Sequence, residues 1–200
     1  MVHGFDAETL GFYNESAETY VASGPGGTSR FLSQFLAKLE PGARILELGC
    51  GGGRDALAMK SAGFAITPTD GSPAIAAKAT ALLGIPVRVM RFDELAEDQA
   101  FDAVWANASL LHVPRESLTG ILHKIRQALR PGGLFFASYK SGGTEDRDEN
   151  GRYFNYLSKQ QALAAYAASG PWEIDEISEY IGGGFAGGTG PWIAVTACRG

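Results

Sequence analysis

The segment Arg44 to Asp55, Arg-Ile-Leu-Glu-Leu-Gly-Cys-Gly-Gly-Gly-Arg-Asp, constrains this chain more than any other. Ile45, Leu46 and Leu48 form a short apolar run of the kind a strand buried on both faces shows, and Gly49, Gly51, Gly52 and Gly53 punctuate its end. Glycines at such a turn permit positive φ and leave no Cβ between the backbone and a ligand. The helix that follows then presents its first N–H groups as donors. Two plainer readings compete: a strand-to-helix turn with no ligand, and a dinucleotide site. The dinucleotide fingerprint G-x-G-x-x-G wants glycine at the sixth position from Gly49, where Arg54 stands.

The remaining chain falls into place around this turn. Upstream, Leu10, Tyr13, Ala17, Tyr20 and Val21 are spaced for an amphipathic helix over residues 6–22, ended by Gly24-Pro25-Gly26-Gly27. A second helix is expected from Thr28 to Leu39, stopped by Pro41-Gly42. Downstream, residues 55–62 read as a helix and 64–69 as a strand leading to Asp70 and Gly71. Ser72-Pro73 then supplies the N-cap and first-turn proline of a helix to about Leu83. Asp70 lies 21 residues past Gly49, where an acid can bond the hydroxyls of a ribose or simply cap the helix. Pro68 predicts a bend or a missing ladder bond in its strand.

Residues 86–90, 101–107 and 134–139 read as further strands. Helices are expected at 117–129 and 157–168, and the closing strands at 172–181 and 191–199. Arg130-Pro131-Gly132-Gly133 is a turn without chemistry, and Gly182 to Gly190 is a hairpin connection and not a phosphate loop, because a strand and no helix follows it. The alternation predicts an α/β, doubly wound, mostly parallel sheet with an antiparallel last strand and N-terminal helices. One domain over 1–200 is expected, with 1–41 as a helical cover and 42–200 as the core.

Glu47-Leu-Gly-Cys-Gly-Gly-Gly resembles the first motif of the class I S-adenosylmethionine-dependent methyltransferases, and Asp70 and Leu129-Arg-Pro-Gly-Gly133 extend the match in order. The resemblance implies a seven-stranded Rossmann-like fold, S-adenosyl-L-methionine as cofactor, and methyl transfer that releases S-adenosylhomocysteine. It also implies site roles. Glu47 sits near the cofactor's amino group, with Gly49, Cys50, Gly51 and Gly53 forming the turn beneath its methionine part. Asp70, with Gly71 and Ser72, meets the ribose. Asp93 reaches the adenine amino group with Phe92 on the ring face, although Asp93 also belongs to an acidic, turn-like stretch. Tyr20 faces the methionine portion and Tyr13 the substrate, unless both are packing residues on a helix stripe.

Asn107 and His112, in the segment leaving the fourth strand, are the catalytic candidates, and Asn107 also touches the cofactor in this reading. Asn107 offers an amide for orientation. His112 offers a base near neutral pH, or is a loop histidine bonded to backbone. Residues 141–152 are polar and leave the ligand-binding edge of the sheet, so they suit a lid or a plain surface loop. Arg152 and Tyr153 resemble a short segment of some small bacterial members and join Tyr13 and His112 as substrate contacts.

A formal net charge of −5 and the absence of a Lys/Arg run disfavour a nucleic-acid partner and leave a small-molecule acceptor. Two distant cysteines, Cys50 and Cys198, have no metal-ligand spacing, and no metal is expected. No apolar run of membrane length and no leader-like segment is visible in Met1 to Leu10, which points to a cytoplasmic protein without membrane contact. A nicotinamide oxidoreductase and a non-catalytic adenosylmethionine-binding regulator are the alternatives.

Overall fold

The computed structural model describes residues 4–23, 27–185 and 188–200. Its centre is a seven-stranded sheet formed by β1 (Arg44–Leu48), β2 (Ala65–Asp70), β3 (Arg88–Val89), β4 (Phe101–Ala106), β5 (Leu129–Lys140), β8 (Trp172–Gly183) and β9 (Thr189–Arg199), in the order β3-β2-β1-β4-β5-β9-β8. β9 runs antiparallel to both of its neighbours, while the pairings among β1 to β5 are all parallel. The order reverses between β1 and β4, so the carboxyl ends of these two strands flank the crevice where open sheets bind ligands.

Helices α4 (Arg54–Ser61), α5 (Pro73–Leu83), α6 (Arg115–Ala128) and α7 (Lys159–Ser169) connect the strands. The sheet is buried on both faces. On one, Leu46, Leu48, Val104, Phe135 and Val195 pack with Leu118, Leu122 and Ile125 of α6. On the other, Ile45, Trp105 and Phe136 meet Leu32 and Phe35, with Trp105 stacked on Phe136 at 4.2 Å. Pro68 causes no break in β2, because β3 begins to pair only at Thr69 and the ladder on that side does not need its N–H. Arg130 to Gly133 loops out of β5, since Phe101 pairs with Leu129 and Ala103 already with Leu134.

The expected first helix is two, α1 (Ala7–Glu15) and α2 (Ala17–Ser23), hinged at Ser16. Its glycine-proline stop at 24–26 lies outside the described residues, as do His3 and part of the 182–190 connection. The second helix shrinks to α3 (Leu32–Leu36), because Ser29 is held from outside by Asp55 and Asn107 and the far end tightens into i→i+3 bonds. The polar stretch after β5 contains a small hairpin, β6 (Asp146–Arg147) with β7 (Tyr153–Phe154). Among the described residues no helix is long and apolar enough to cross a membrane, and no group of three or more His, Cys, Asp or Glu is placed to hold a metal ion.

Candidate functional site

A cleft opens at the carboxyl ends of β1, β2 and β4, between the glycine turn and α1. Gly49 and Gly51 floor it with φ of +75° and +54°. A Cβ on Gly49 would stand 2.6 Å from that of Ser109, and one on Gly51 would stand 3.1 Å from the Tyr20 hydroxyl. Only glycine fits either place. Gly53 has a different task. It caps α4 in the left-handed region, and a Cβ there would press on Leu83 at 3.3 Å, so it brings α4 and α5 together and does not line the cleft.

Three carboxyl groups converge behind the turn. Asp55 accepts from the Ser29 N–H and the Trp105 indole, and Asp70 accepts from the N–H groups of Gly51 and Ser72 at 3.0 and 2.9 Å. Glu47, only 3% exposed, keeps one oxygen, Oε2, without a hydrogen-bond partner among the described residues. Burial, then the neighbouring Asp55 and Asp70, pushes its carboxyl well above the ordinary range. Burial likewise raises Asp70 to about 6 despite its backbone donors. Glu47 stands just behind the residues that line the cleft, and its open oxygen beside two more acids could accept from a cationic group such as an ammonium, which would also favour its ionised form. These acceptors could take the ammonium end and the ribose hydroxyls of S-adenosylmethionine.

Tyr13, Tyr20, Gly71, Phe92 and His112, all candidates from the sequence, also line the cleft. The Tyr13 hydroxyl lies 2.9 Å from His112 Nε2, and His112 Nδ1 lies 2.7 Å from the Tyr153 carbonyl. A carbonyl can only accept, so Nδ1 carries the proton and Nε2 accepts from the phenol. Burial lowers the His112 pKa to about 4, which leaves a neutral imidazole whose free lone pair is occupied. The expected base is thus a weak one held in a network.

Other expected residues lie outside the cleft. Asn107 donates to Ser29 Oγ and accepts from Ser138 Oγ, both at 2.8 Å. Asp93 bonds Arg91 at 3.0 Å. Arg152, 2% exposed, is bound by Asp148 and the Tyr13 hydroxyl amid the rings of Phe12, Tyr13, Phe154 and Phe185. Tyr153 points its hydroxyl at Glu145 and the Arg115 N–H. Cys50 packs among apolar residues under α5, with its thiol pKa raised by burial, and Ser72 caps α5.

The cleft also contains residues that the motifs do not single out: Phe5, Asp6, Thr9 and Leu10 around α1, Ile75, Met90, Arg91, Ala108 and Ser109. Ser109 is the instructive one. Ala108 adopts φ +52°, which turns Asn107 toward Ser29 and lets Ser109 face the cleft with a buried hydroxyl that has no partner among the described residues.

The profile described as "Methyltransferase domain" matches residues 18–167 of this chain. The chain belongs to the methyltransferase domain family. A curated relative of this methyltransferase domain, the ubiquinone biosynthesis O-methyltransferase of Xanthomonas axonopodis pv. citri (strain 306), is 39% identical over 115 residues, which are 54% of this chain and 47% of the relative. The chain thus spans about half the length of the curated relatives it matches. Among solved structures, the Burkholderia thailandensis 1,6-didemethyltoxoflavin-N1-methyltransferase with bound 1,6-didemethyltoxoflavin and S-adenosylhomocysteine superposes with a TM-score of 0.74 at 20% identity, over 94% of this chain and 84% of that one. The [4+2]-cyclase SpnF superposes with a TM-score of 0.74 at 19% identity, over 100% of this chain and 97% of that one. At these identities the likeness establishes the fold, a fold shared by proteins named for different reactions.

Proposed function

We propose that this methyltransferase domain carries the methyl group of S-adenosylmethionine to a small-molecule acceptor and leaves S-adenosylhomocysteine. The observation that carries the reading is Glu47 Oε2, buried without a partner among the described residues where β1 meets the glycine turn. Family membership supports it, as does the S-adenosylhomocysteine named in the Burkholderia structure. A small-molecule acceptor agrees with the small molecules in the names of that enzyme and of the Xanthomonas relative.

In this reading the sulfonium supplies an electrophilic methyl. Glu47 holds the ammonium, the backbone of Gly49 and Gly51 lies under the methionine chain with Tyr20 beside it, and Asp70 takes the ribose hydroxyls with its remaining lone pairs. Phe92 and Met90 flank the adenine. Tyr13 and His112 face the acceptor and fix its approach, so in-line alignment supplies much of the acceleration.

Isothermal titration with S-adenosylhomocysteine and with NADH, followed by an acceptor panel read by S-adenosylhomocysteine release, tests the reading. Saturable S-adenosylhomocysteine binding with turnover of a panel member is expected. Binding of NADH in its place overturns the assignment of the cleft. Cofactor binding with no product across the panel favours the regulator.

A further inference from the structure

Three unfavourable features meet at Ser109 on the wall of the cleft. The residue is 7% exposed, and its hydroxyl has no hydrogen-bond partner among the described residues. Ser109 opens the short turn Leu110–His112, where a serine ordinarily satisfies its oxygen by capping, yet it makes no such bond. Ala108 before it holds φ +52°, which a residue with a side chain disfavours. Opposite stands Gly49, where a Cβ would meet the Ser109 Cβ at 2.6 Å and the Phe92 ring at 3.6 Å.

The left-handed residue is locked from behind. Its N–H donates to Ser138 Oγ, Ser138 Oγ donates to Asn107 Oδ1, and Asn107 Nδ2 donates to Ser29 Oγ, each at 2.8 Å. The Ser29 N–H in turn donates to Asp55 at 2.8 Å. This chain of bonds spends Asn107 and fixes the direction of Ser109, whose own hydroxyl stays open. A buried hydroxyl without a partner is unfavourable in the free protein and is satisfied when a polar ligand arrives. Strain held at a cleft wall by such a network points the same way.

The cofactor leaves this hydroxyl unclaimed. In the methyl-transfer reading Glu47 takes the ammonium and Asp70 the ribose hydroxyls, while the methionine chain over Gly49 carries a sulfonium, which neither donates nor accepts a hydrogen bond. Charged groups around the rest of the cleft are already paired. Asp6 is bound by Arg147 at 2.6 Å, Arg91 by Asp93 and Glu94 at 3.0 and 3.1 Å, and both nitrogens of His112 are bonded. A charged acceptor group would find no counter-charge there.

We propose that Ser109 binds the reacting atom of the methyl acceptor, and that this atom is the oxygen or nitrogen of an uncharged O–H or N–H group. The inference rests on the methyl-transfer reading. A serine hydroxyl removes no proton near neutral pH; by accepting from the O–H or N–H it turns the acceptor's lone pair toward the methyl group. That lone pair forms the new bond to the methyl carbon, the electron pair of the broken C–S bond stays on sulfur, and the proton freed from oxygen or nitrogen passes to water.

The test uses the full chain saturated with S-adenosylhomocysteine and pairs of probes with and without the donor: phenol against anisole, aniline against N,N-dimethylaniline, indole against 1-methylindole. Ligand-observed NMR titration should find at least one donor-bearing probe about two- to tenfold tighter than its methylated partner, the range of a neutral hydrogen bond. The phenol and amine pairs separate oxygen from nitrogen. Ser109→Ala should erase the preference, and so should Ser109→Cys, which fills the same space with a poorer hydrogen-bonding atom. Both variants should bind S-adenosylhomocysteine as the natural chain does, and Ser109→Ala should melt at the same temperature or higher, because it removes an unsatisfied group. No preference in the natural chain, a preference that survives in Ser109→Ala, or a Ser109→Ala protein that melts lower overturns the proposal. Weaker S-adenosylhomocysteine binding in Ser109→Ala also overturns it, by giving the hydroxyl to the cofactor. Failure of the natural chain to bind S-adenosylhomocysteine shows in the first titration, and it overturns the methyl-transfer reading and the inference with it.

Discussion

The Tyr13 phenol donates a 2.9 Å hydrogen bond to Nε2 of His112, across 99 residues of sequence. Because Nδ1 is committed to the Tyr153 carbonyl, this bond fixes both the tautomer and the charge of the imidazole.

The charge has a measurable sign. The folded pKa of His112, about 4, lies below the ordinary histidine value of 6.5, so between these two values the folded chain binds one proton fewer than the unfolded chain. Through this residue stability rises with pH across that window, is fully present above it, and is lost as pH falls toward 4. Denaturant titrations at several pH values should therefore show the slope of unfolding free energy against pH to be more positive, by about 1.4 kcal/mol per unit, in the natural chain than in His112→Gln. Equal slopes would show that the imidazole is not buried neutral.

Removing only the phenol oxygen tests the network from the other side. Tyr13→Phe strips Arg152 Nη1 of its acceptor and His112 Nε2 of its donor. We expect a loss of about 1–3 kcal/mol in urea unfolding. The ¹⁵N shift of Nε2 should move, with S-adenosylhomocysteine affinity little changed. An unmoved shift would place Tyr13 elsewhere in solution.

Glu47→Gln separates stability from binding. The natural carboxyl is destabilised by burial and by Asp55 and Asp70, so the amide should melt at the same temperature or higher. S-adenosylhomocysteine affinity should fall roughly tenfold or more, because a charge-assisted bond becomes a neutral one. Undiminished affinity would remove Glu47 from the cofactor's amino group.

Gly49→Ala places a methyl 2.6 Å from the Ser109 Cβ on a backbone with φ +75°. A destabilisation of at least ~2 kcal/mol is expected, together with lost cofactor binding. Gly63→Ala serves as the control, because it shares a positive φ of +88° but a Cβ there meets no neighbour within 4 Å. If both variants bind alike, the floor of the cleft does not depend on close approach.

The fold was legible because its signals are local. The run at Ile45 to Leu48, the glycines after it, Ser72-Pro73, and the period of Leu118, Ile121, Leu122 and Ile125 each specify an element within a few residues. The half of the site built on the glycine turn was legible for the same reason. The acceptor half was not. Whether Asn107 or Ser109 faces the cleft depends on one left-handed residue, Ala108, whose side chain gives no sign of it. Arg152 reads as a substrate contact, but Asp148 and Phe154 nearby in the chain and the rings of Phe12, Tyr13 and Phe185 from distant segments close around it. Asp93 is held by Arg91, two residues before it.

Asp6, on the rim of the cleft, is gripped by Arg147 of β6 at 2.6 Å, and Arg147 also reaches Glu8 at 3.1 Å. The fastening is therefore electrostatic and close to the surface, made between segments 141 residues apart in the chain. Fastenings of that kind loosen as mobile ions accumulate around them. Escape of a spent molecule from beneath α1 should then quicken with added salt while the deep contacts of Glu47 stay as they are, so ionic strength acts as a throttle on residence time. Stopped-flow displacement of S-adenosylhomocysteine at rising potassium chloride reads it directly, and Arg147→Ala should already release fast without salt.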